Sequence, residues 1–216
     1  YLKKKIRKNI FIIEDSAHAF CGEYNNKTLG YYSDFAVFSF YATKSITCGE
    51  GGAIITNHKK YADIIKSISN NGMTKPAFKR FENNKYIPWD VYDYGFKANL
   101  SDINASILEE QVINYTKTAK IKKKIFNEYK HALSSIKQIS LPTENKNKNR
   151  DYYLFPIGVK SNIRNKLISF LLENKIFVTV NFRSITDLNY YKKKYKVFDC
   201  KESKKYPIKK YLSIWA

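Results

Sequence analysis

Residues 10–14 (IFIIE) make a short apolar run that stops on Asp15, and this run constrains the fold more than any other stretch. Four apolar side chains in succession, without polar alternation, read as a strand covered on both faces. Parallel sheets flanked by helices need such strands. Asp15 then falls at the carboxyl end of the strand, the end at which open α/β sheets bind their ligands. The basic stretch before the run gives it the outline of a signal peptide. Its apolar part is too short for that role and meets Glu14 and Asp15 at once. The first residue is Tyr rather than Met, so a fragment or a processed piece is expected.

Two further apolar runs follow, residues 34–40 (DFAVFSF) and 52–56 (GAIIT). Between them lies YATKSITCGEGG, which ends in Gly51 and Gly52, residues that permit close backbone approach. Residues 59–69 have apolar positions at helical spacing, whereas 71–94 carry Gly72, Pro76 and Pro88 and read as an irregular loop. Residues 101–135 read as one long helix capped by Ser101, with Asp102 in its first turn. A polar, turn-like stretch at 143–151 precedes a strand (YYLFPIGV), a helix (NIRNKLISFLLENK) and a strand (IFVTVNF). The expected class is α/β. Residues 1–100 would form the remainder of a large domain with a mainly parallel sheet. Residues 101–216 would form a linking helix and a smaller, incomplete α/β domain.

Composition narrows the function. The net charge is +20, but Arg supplies only five of the 39 basic residues. Arg is the side chain suited to bidentate phosphate and base contacts, so the charge reads as lysine bias and no nucleic-acid partner is expected. No apolar stretch reaches the roughly 18 residues of a membrane span. Cys21, Cys48 and Cys200 are odd in number and show no paired spacing. That argues against a disulfide framework or a metal site and fits a reducing cytoplasm.

Asp15, His18, Ser39 and Lys44 occur in one order around the first two strands. Singly, each has an ordinary reading: a helix-capping Asp, a structural His, a strand hydroxyl, a solvated Lys. Together they match what pyridoxal phosphate needs. A lysine amine holds the cofactor, a carboxylate faces the ring nitrogen, a flat side chain packs on the ring, and a hydroxyl meets the phosphate.

IIEDSAHAFCGEY, followed by LGYYSDFAVFSFYATKSITCGEGGAIITN, closely resembles the sugar aminotransferases of the DegT/DnrJ/EryC1/StrS family. YGFKANLSDINASILEEQV is similar to the family's segment at the start of the long helix, and VTVNFRSITDLNYYKKKY to its substrate-side segment. The resemblance implies an aspartate-aminotransferase-type fold and pyridoxal 5'-phosphate as cofactor. It implies Lys44 as the cofactor lysine and proton shuttle, Asp15 on the ring nitrogen, His18 against the ring and Ser39 on the phosphate. Asn99 or Lys97 would reach the cofactor phosphate of a second copy, since the family builds shared sites in homodimers. The implied substrates are a nucleotide-diphosphate keto-sugar and glutamate.

The chain departs from the family pattern at Lys97, often Asn, at Asn99, often Arg, and at Asn181 and Thr186, often His. Tyr41 replaces a frequent His. A related sugar dehydratase would carry His in place of Lys44. A truncated, non-catalytic dimerising relative is the alternative from a different class.

Overall fold

The computed structural model describes residues 10–74, 81–82, 84–143, 148–180, 184–195 and 211–215. Asn181 and Cys200 lie outside the described residues. The chain divides into two compact units, residues 1–115 with 147–151, and residues 116–146 with 152–216.

The first unit starts with β1 (Ile13–Asp15). A hairpin follows, β2 (Glu23–Tyr24) and β3 (Lys27–Thr28), turning on Asn25 and Asn26 at φ 49° and 57°. Asn tolerates the left-handed region that a tight hairpin turn demands. Next come β4 (Phe35–Ser39) and β5 (Gly52–Ile55), in sheet order β1-β4-β5. β1 runs parallel to β4, with Asp15 opposite Val37, while β4 runs antiparallel to β5, with Ser39 opposite Gly52. The sheet described is therefore mixed, where a mainly parallel one was expected. The cause is the connection: residues 40–51 contain no helix to carry the chain back for a parallel return.

β1 also departs from the expected double burial. Ile10 and Phe11, just before β1, and Ile13 within it are exposed, and among the described residues β4 is the strand that pairs with β1.

Helix α1 (Lys59–Ile68) turns Tyr61, Ala62, Ile65 and Ile68 inward at helical spacing. Tyr61 packs edge-on against Phe11, and its ring centroid lies 5.6 Å from that of Phe35. The stretch read as an irregular loop holds a hairpin, β6 (Phe81–Glu82) with β7 (Lys85–Tyr86), and an isolated bridge between Met73 and Val91.

Ser101 caps α2 (Asp102–Ile113) as expected, its Oγ accepting from the Asn104 amide at 3.2 Å. The single long helix that was expected is broken at Asn114, with φ −87° and ψ 0°, before α3 (Tyr115–Leu133) begins. The Asn114 side chain donates to the Glu110 carbonyl at 3.0 Å, the local competition by which Asn disfavours helix interiors.

In the first unit, β9 (Lys148–Asn149) pairs with β2, and in the second unit β8 (Ile139–Ser140) opens the described strands. β10 (Leu154–Val159), α4 (Ser161–Glu173), β11 (Val178–Thr179), a 3-10 turn at Ile185–Asp187, α5 (Asn189–Lys194) and β12 (Tyr211–Trp215) complete the chain's described elements. The sheet order is β11-β12-β10-β8, antiparallel throughout. Phe155, Ile157 and Val159 alternate along β10 and form one buried core with Phe126 of α3. Ile163, Leu167 and Ile168 of α4 pack against it.

Candidate active site

The first sheet gathers four of the five predicted residues by topology. β1 and β4 are parallel, so Asp15 and Ser39 end their strands on the same side. His18 lies in the turn after β1, and Lys44 lies in the 40–51 loop between β4 and β5. The turn after β1 is fixed by the Ser16 amide donating to the Val37 carbonyl at 2.8 Å. Asp15 Oδ1 accepts from the Ala17 amide at 3.1 Å, and Ser39 Oγ accepts from the Tyr41 amide at 3.4 Å.

The loop that carries Lys44 is anchored by apolar burial. Phe40, Ile46 and Cys48 form a buried cluster backed by Phe20, Leu100 and Leu108. Phe20 meets Phe38, Phe40 and Tyr115 edge-on, the favoured arrangement of aromatic quadrupoles. The Phe40 amide donates to the Gly51 carbonyl at 2.8 Å, and the Cys48 amide to the Phe40 carbonyl at 3.0 Å, closing the loop at its base. Gly51 is required sterically: a Cβ there would stand 2.6 Å from Cys48 Sγ and 3.1 Å from Leu100 Cδ1.

Helix α2 holds the loop from outside. The Thr47 amide donates to Gln111 Oε1 at 3.0 Å, and Gln111 Nε2 donates back to the Thr47 carbonyl. Asn104 Nδ2 donates to the Glu50 carbonyl at 3.0 Å. Within the loop the Lys44 amide donates to the Tyr41 carbonyl at 2.9 Å, leaving the Lys44 side chain half-buried.

His18 feels both Lys44 and Asp15 electrostatically. The His18 pKa lies below its ordinary value, through partial burial first and the Lys44 ammonium second, with Asp15 opposing. An imidazole whose pKa is lowered favours its neutral form, which can lie against an aromatic ring without placing a further charge there.

Asn99 stands apart. It is exposed, and among the described residues no hydrogen bond or ion pair joins it to Asp15, His18, Ser39 or Lys44. Its segment is tied to the end of α1, where the Phe96 amide donates to the Ile68 carbonyl at 2.7 Å and the Ala98 amide to that of Ser69 at 2.9 Å. Lys97 forms a bridge with Asn70. Thr186, in the second unit, hydrogen bonds to Ser184 through the two hydroxyls at 2.8 Å.

Gln111, Asn104 and Asp151 were not anticipated. Gln111 and Asn104 lie in the block NLSDINASILEEQV, whose family resemblance was a signal for importance though not for a partner. Asp151, whose Oδ1 accepts from Ser45 Oγ at 2.8 Å across 106 positions, carried no signal.

The sequence model described as the DegT/DnrJ/EryC1/StrS aminotransferase family matches residues 4–213. The chain is 32% identical over 179 residues to the uncharacterized protein MJ1066 of Methanocaldococcus jannaschii, an alignment covering 81% of this chain and 46% of that protein. It is 30% identical over 191 residues to the spore coat polysaccharide biosynthesis protein SpsC of Bacillus subtilis, covering 86% of this chain and 49% of that one. The chain thus spans about half the length of the curated relatives it matches.

Among solved structures, Helicobacter pylori PseC, an aminotransferase involved in the biosynthesis of pseudoaminic acid, aligns with a TM-score of 0.85 at 21% identity, over 99% of this chain and 56% of that one. The putative sugar aminotransferase Spr1654 of Streptococcus pneumoniae, in its PMP form, aligns with a TM-score of 0.83 at 23% identity, over 95% and 53%. Its PLP form aligns with a TM-score of 0.82 at 22% identity, over 95% and 52%. At these identities the likeness concerns the fold, which is that of about half of each enzyme.

Proposed function

The chain belongs to the DegT/DnrJ/EryC1/StrS aminotransferase family, and from that premise we propose that it carries the cofactor-holding part of a pyridoxal-phosphate sugar aminotransferase. One observation carries the reading: His18 feels both Lys44 and Asp15, and Asp15 and Ser39 end two paired parallel strands on the same side. The donor set fits the cofactor, offering an amine, a carboxylate, an imidazole, a hydroxyl and nearby backbone amides. Pyridoxal phosphate supplies an electron sink, through which an amino group can pass between carbon atoms.

The chain's own residues take the remaining tasks. Lys44 holds the cofactor through its amine and, once released, moves a proton at that nitrogen. Asp15 keeps a proton on the ring nitrogen, because a carboxylate stabilises the adjacent positive charge. Its Oδ1, already accepting from the Ala17 amide, is held for this role. His18 lies against the ring in neutral form. Ser39 donates its hydroxyl to the phosphate.

The acceptor in this reading is a nucleotide-linked keto-sugar and the donor is glutamate. The excess of lysine would aid encounter with a diphosphate. A second copy completes the site, with Asn99 or Lys97 reaching its cofactor phosphate. Among the described residues no helix is long and apolar enough to cross a membrane; the cytoplasmic location in this reading follows from the odd, widely spaced cysteines.

The test is visible absorbance of the whole protein with pyridoxal phosphate, then borohydride reduction and peptide mapping. Label fixed on Lys44, and lost in Lys44→Ala together with turnover, is the expected result. A folded whole protein that fixes no label, or Lys44→Ala transaminating at the wild-type rate, overturns the assignment.

A further inference from the structure

Asp151 is 6% exposed and belongs to the first unit, although the chain leaves that unit directly after it. A carboxylate this deep is costly unless protein donors replace its lost water. Ser45, the residue after Lys44, supplies one, its Oγ donating to Asp151 Oδ1 at 2.8 Å. Tyr115 and Cys21 lie close enough to feel the carboxylate. Burial, then the Asp151 charge, raises the pKa of each, and both stay protonated near neutrality. Tyr115 Oη also donates to the Phe20 carbonyl at 3.0 Å, which fixes the ring beside Asp151.

Lysine has a long side chain with several rotatable bonds, so its amine is presented accurately only if the backbone beneath it is fixed. The loop's ends are tied by Phe40, Cys48 and Gly51, and Thr47 is tied by Gln111. Beside Lys44 itself, the Ser45 hydroxyl bond to Asp151 is a tie that reaches outside the loop.

We propose that Asp151 is a positioning residue for Lys44, acting through Ser45 to fix the backbone from which the lysine amine is presented. This rests on the reading that Lys44 holds the cofactor. This role requires no contact of Asp151 with cofactor or substrate. Its effect is on how readily the Lys44 amine reaches its reacting geometry.

The experiment is stopped-flow capture of pyridoxal phosphate by the whole apoprotein at saturating cofactor, followed by borohydride fixation and mapping. Wild type, Ser45→Ala, Asp151→Ala, Asp151→Asn and the double alanine variant are compared, with unfolding midpoints measured separately. Ser45→Ala and Asp151→Ala should capture about tenfold more slowly, the size expected for one lost hydrogen bond. Asp151→Asn, which keeps an oxygen for Ser45, should stay near wild type. The double variant should be no slower than the slower single, because the two residues form one interaction.

Capture by folded Ser45→Ala at the wild-type rate, or multiplying effects in the double variant, overturns the positioning role and leaves the cofactor reading intact. Failure of wild type to fix label on Lys44 overturns the cofactor reading and this inference with it. If Asp151→Ala does not fold, Ser45→Ala and Asp151→Asn decide alone.

Discussion

Replacing Gln111 should loosen the Lys44 loop in a way that can be read at a single amide. The Gln111 carboxamide faces the Thr47 peptide with both of its ends, accepting from the amide at 3.0 Å and donating to the carbonyl. In Gln111→Ala both Thr47 groups lose their partner in a half-buried position. One unmade hydrogen bond of this kind costs about 1–3 kcal/mol. Partial access of water puts the cost at the lower end, about 1.4 kcal/mol, or tenfold in a local opening equilibrium. Native-state hydrogen exchange measures that equilibrium directly. Protection of the Thr47 amide should fall about tenfold in Gln111→Ala. Gln111→Glu should fall between the two, because it keeps an acceptor for the amide and loses the donor to the carbonyl. Amides in α1 should be unchanged, since they take no part in this contact. Unchanged protection at Thr47 in Gln111→Ala, with the helix intact, would refute the view that α2 holds the loop.

Further expectations can be checked by unfolding measurements. Gly51→Ala should destabilise the protein by about 1–3 kcal/mol, because its Cβ would press on Cys48 and Leu100; denaturant titration reads this as a lower midpoint. Phe126→Ala and Phe155→Ala should each cost about 3–5 kcal/mol by opening a cavity in the second unit. Their rings are 4.9 Å apart, so the double variant should lose less than the sum. The folded state holds His18 below its ordinary pKa of 6.5, so the unfolded chain binds the proton more readily. The stability this contributes is present above pH 6.5 and is lost as pH falls below it. His18→Gln should therefore flatten the midpoint against pH in that range, and an unchanged profile would remove His18 as the cause.

Much of the candidate site is legible in the sequence because its signals are local. Asp15 ends an apolar run, so the residue pattern alone marks that strand end, while the second run extends to Phe40 in the sequence and its strand stops one residue earlier, at Ser39. Lys44 sits in a polar stretch closed by Gly51, whose steric need is visible as the close approach of Cys48. The Ser101 cap is legible for the same reason: a hydroxyl next to the first helical turn acts within three residues. The errors fall where a longer range decides. β5 returns antiparallel because of what its connection lacks, and β1 stays exposed on residues that alone look buried. The helix break at Asn114 turns on a side chain competing with its own backbone, which apolar periodicity does not register.

By itself the amino-acid sequence determined the strand ends, the polar loop between them and the set of chemical groups placed there, since these depend on neighbours a few positions away. Only the tertiary structure decided how that loop is held. Gln111 reaches Thr47 across 64 positions and Asp151 reaches Ser45 across 106. Such contacts leave no local pattern, because a hydrogen bond depends on distance in space, and the packing of α2 and the return of the chain at β9 set that distance.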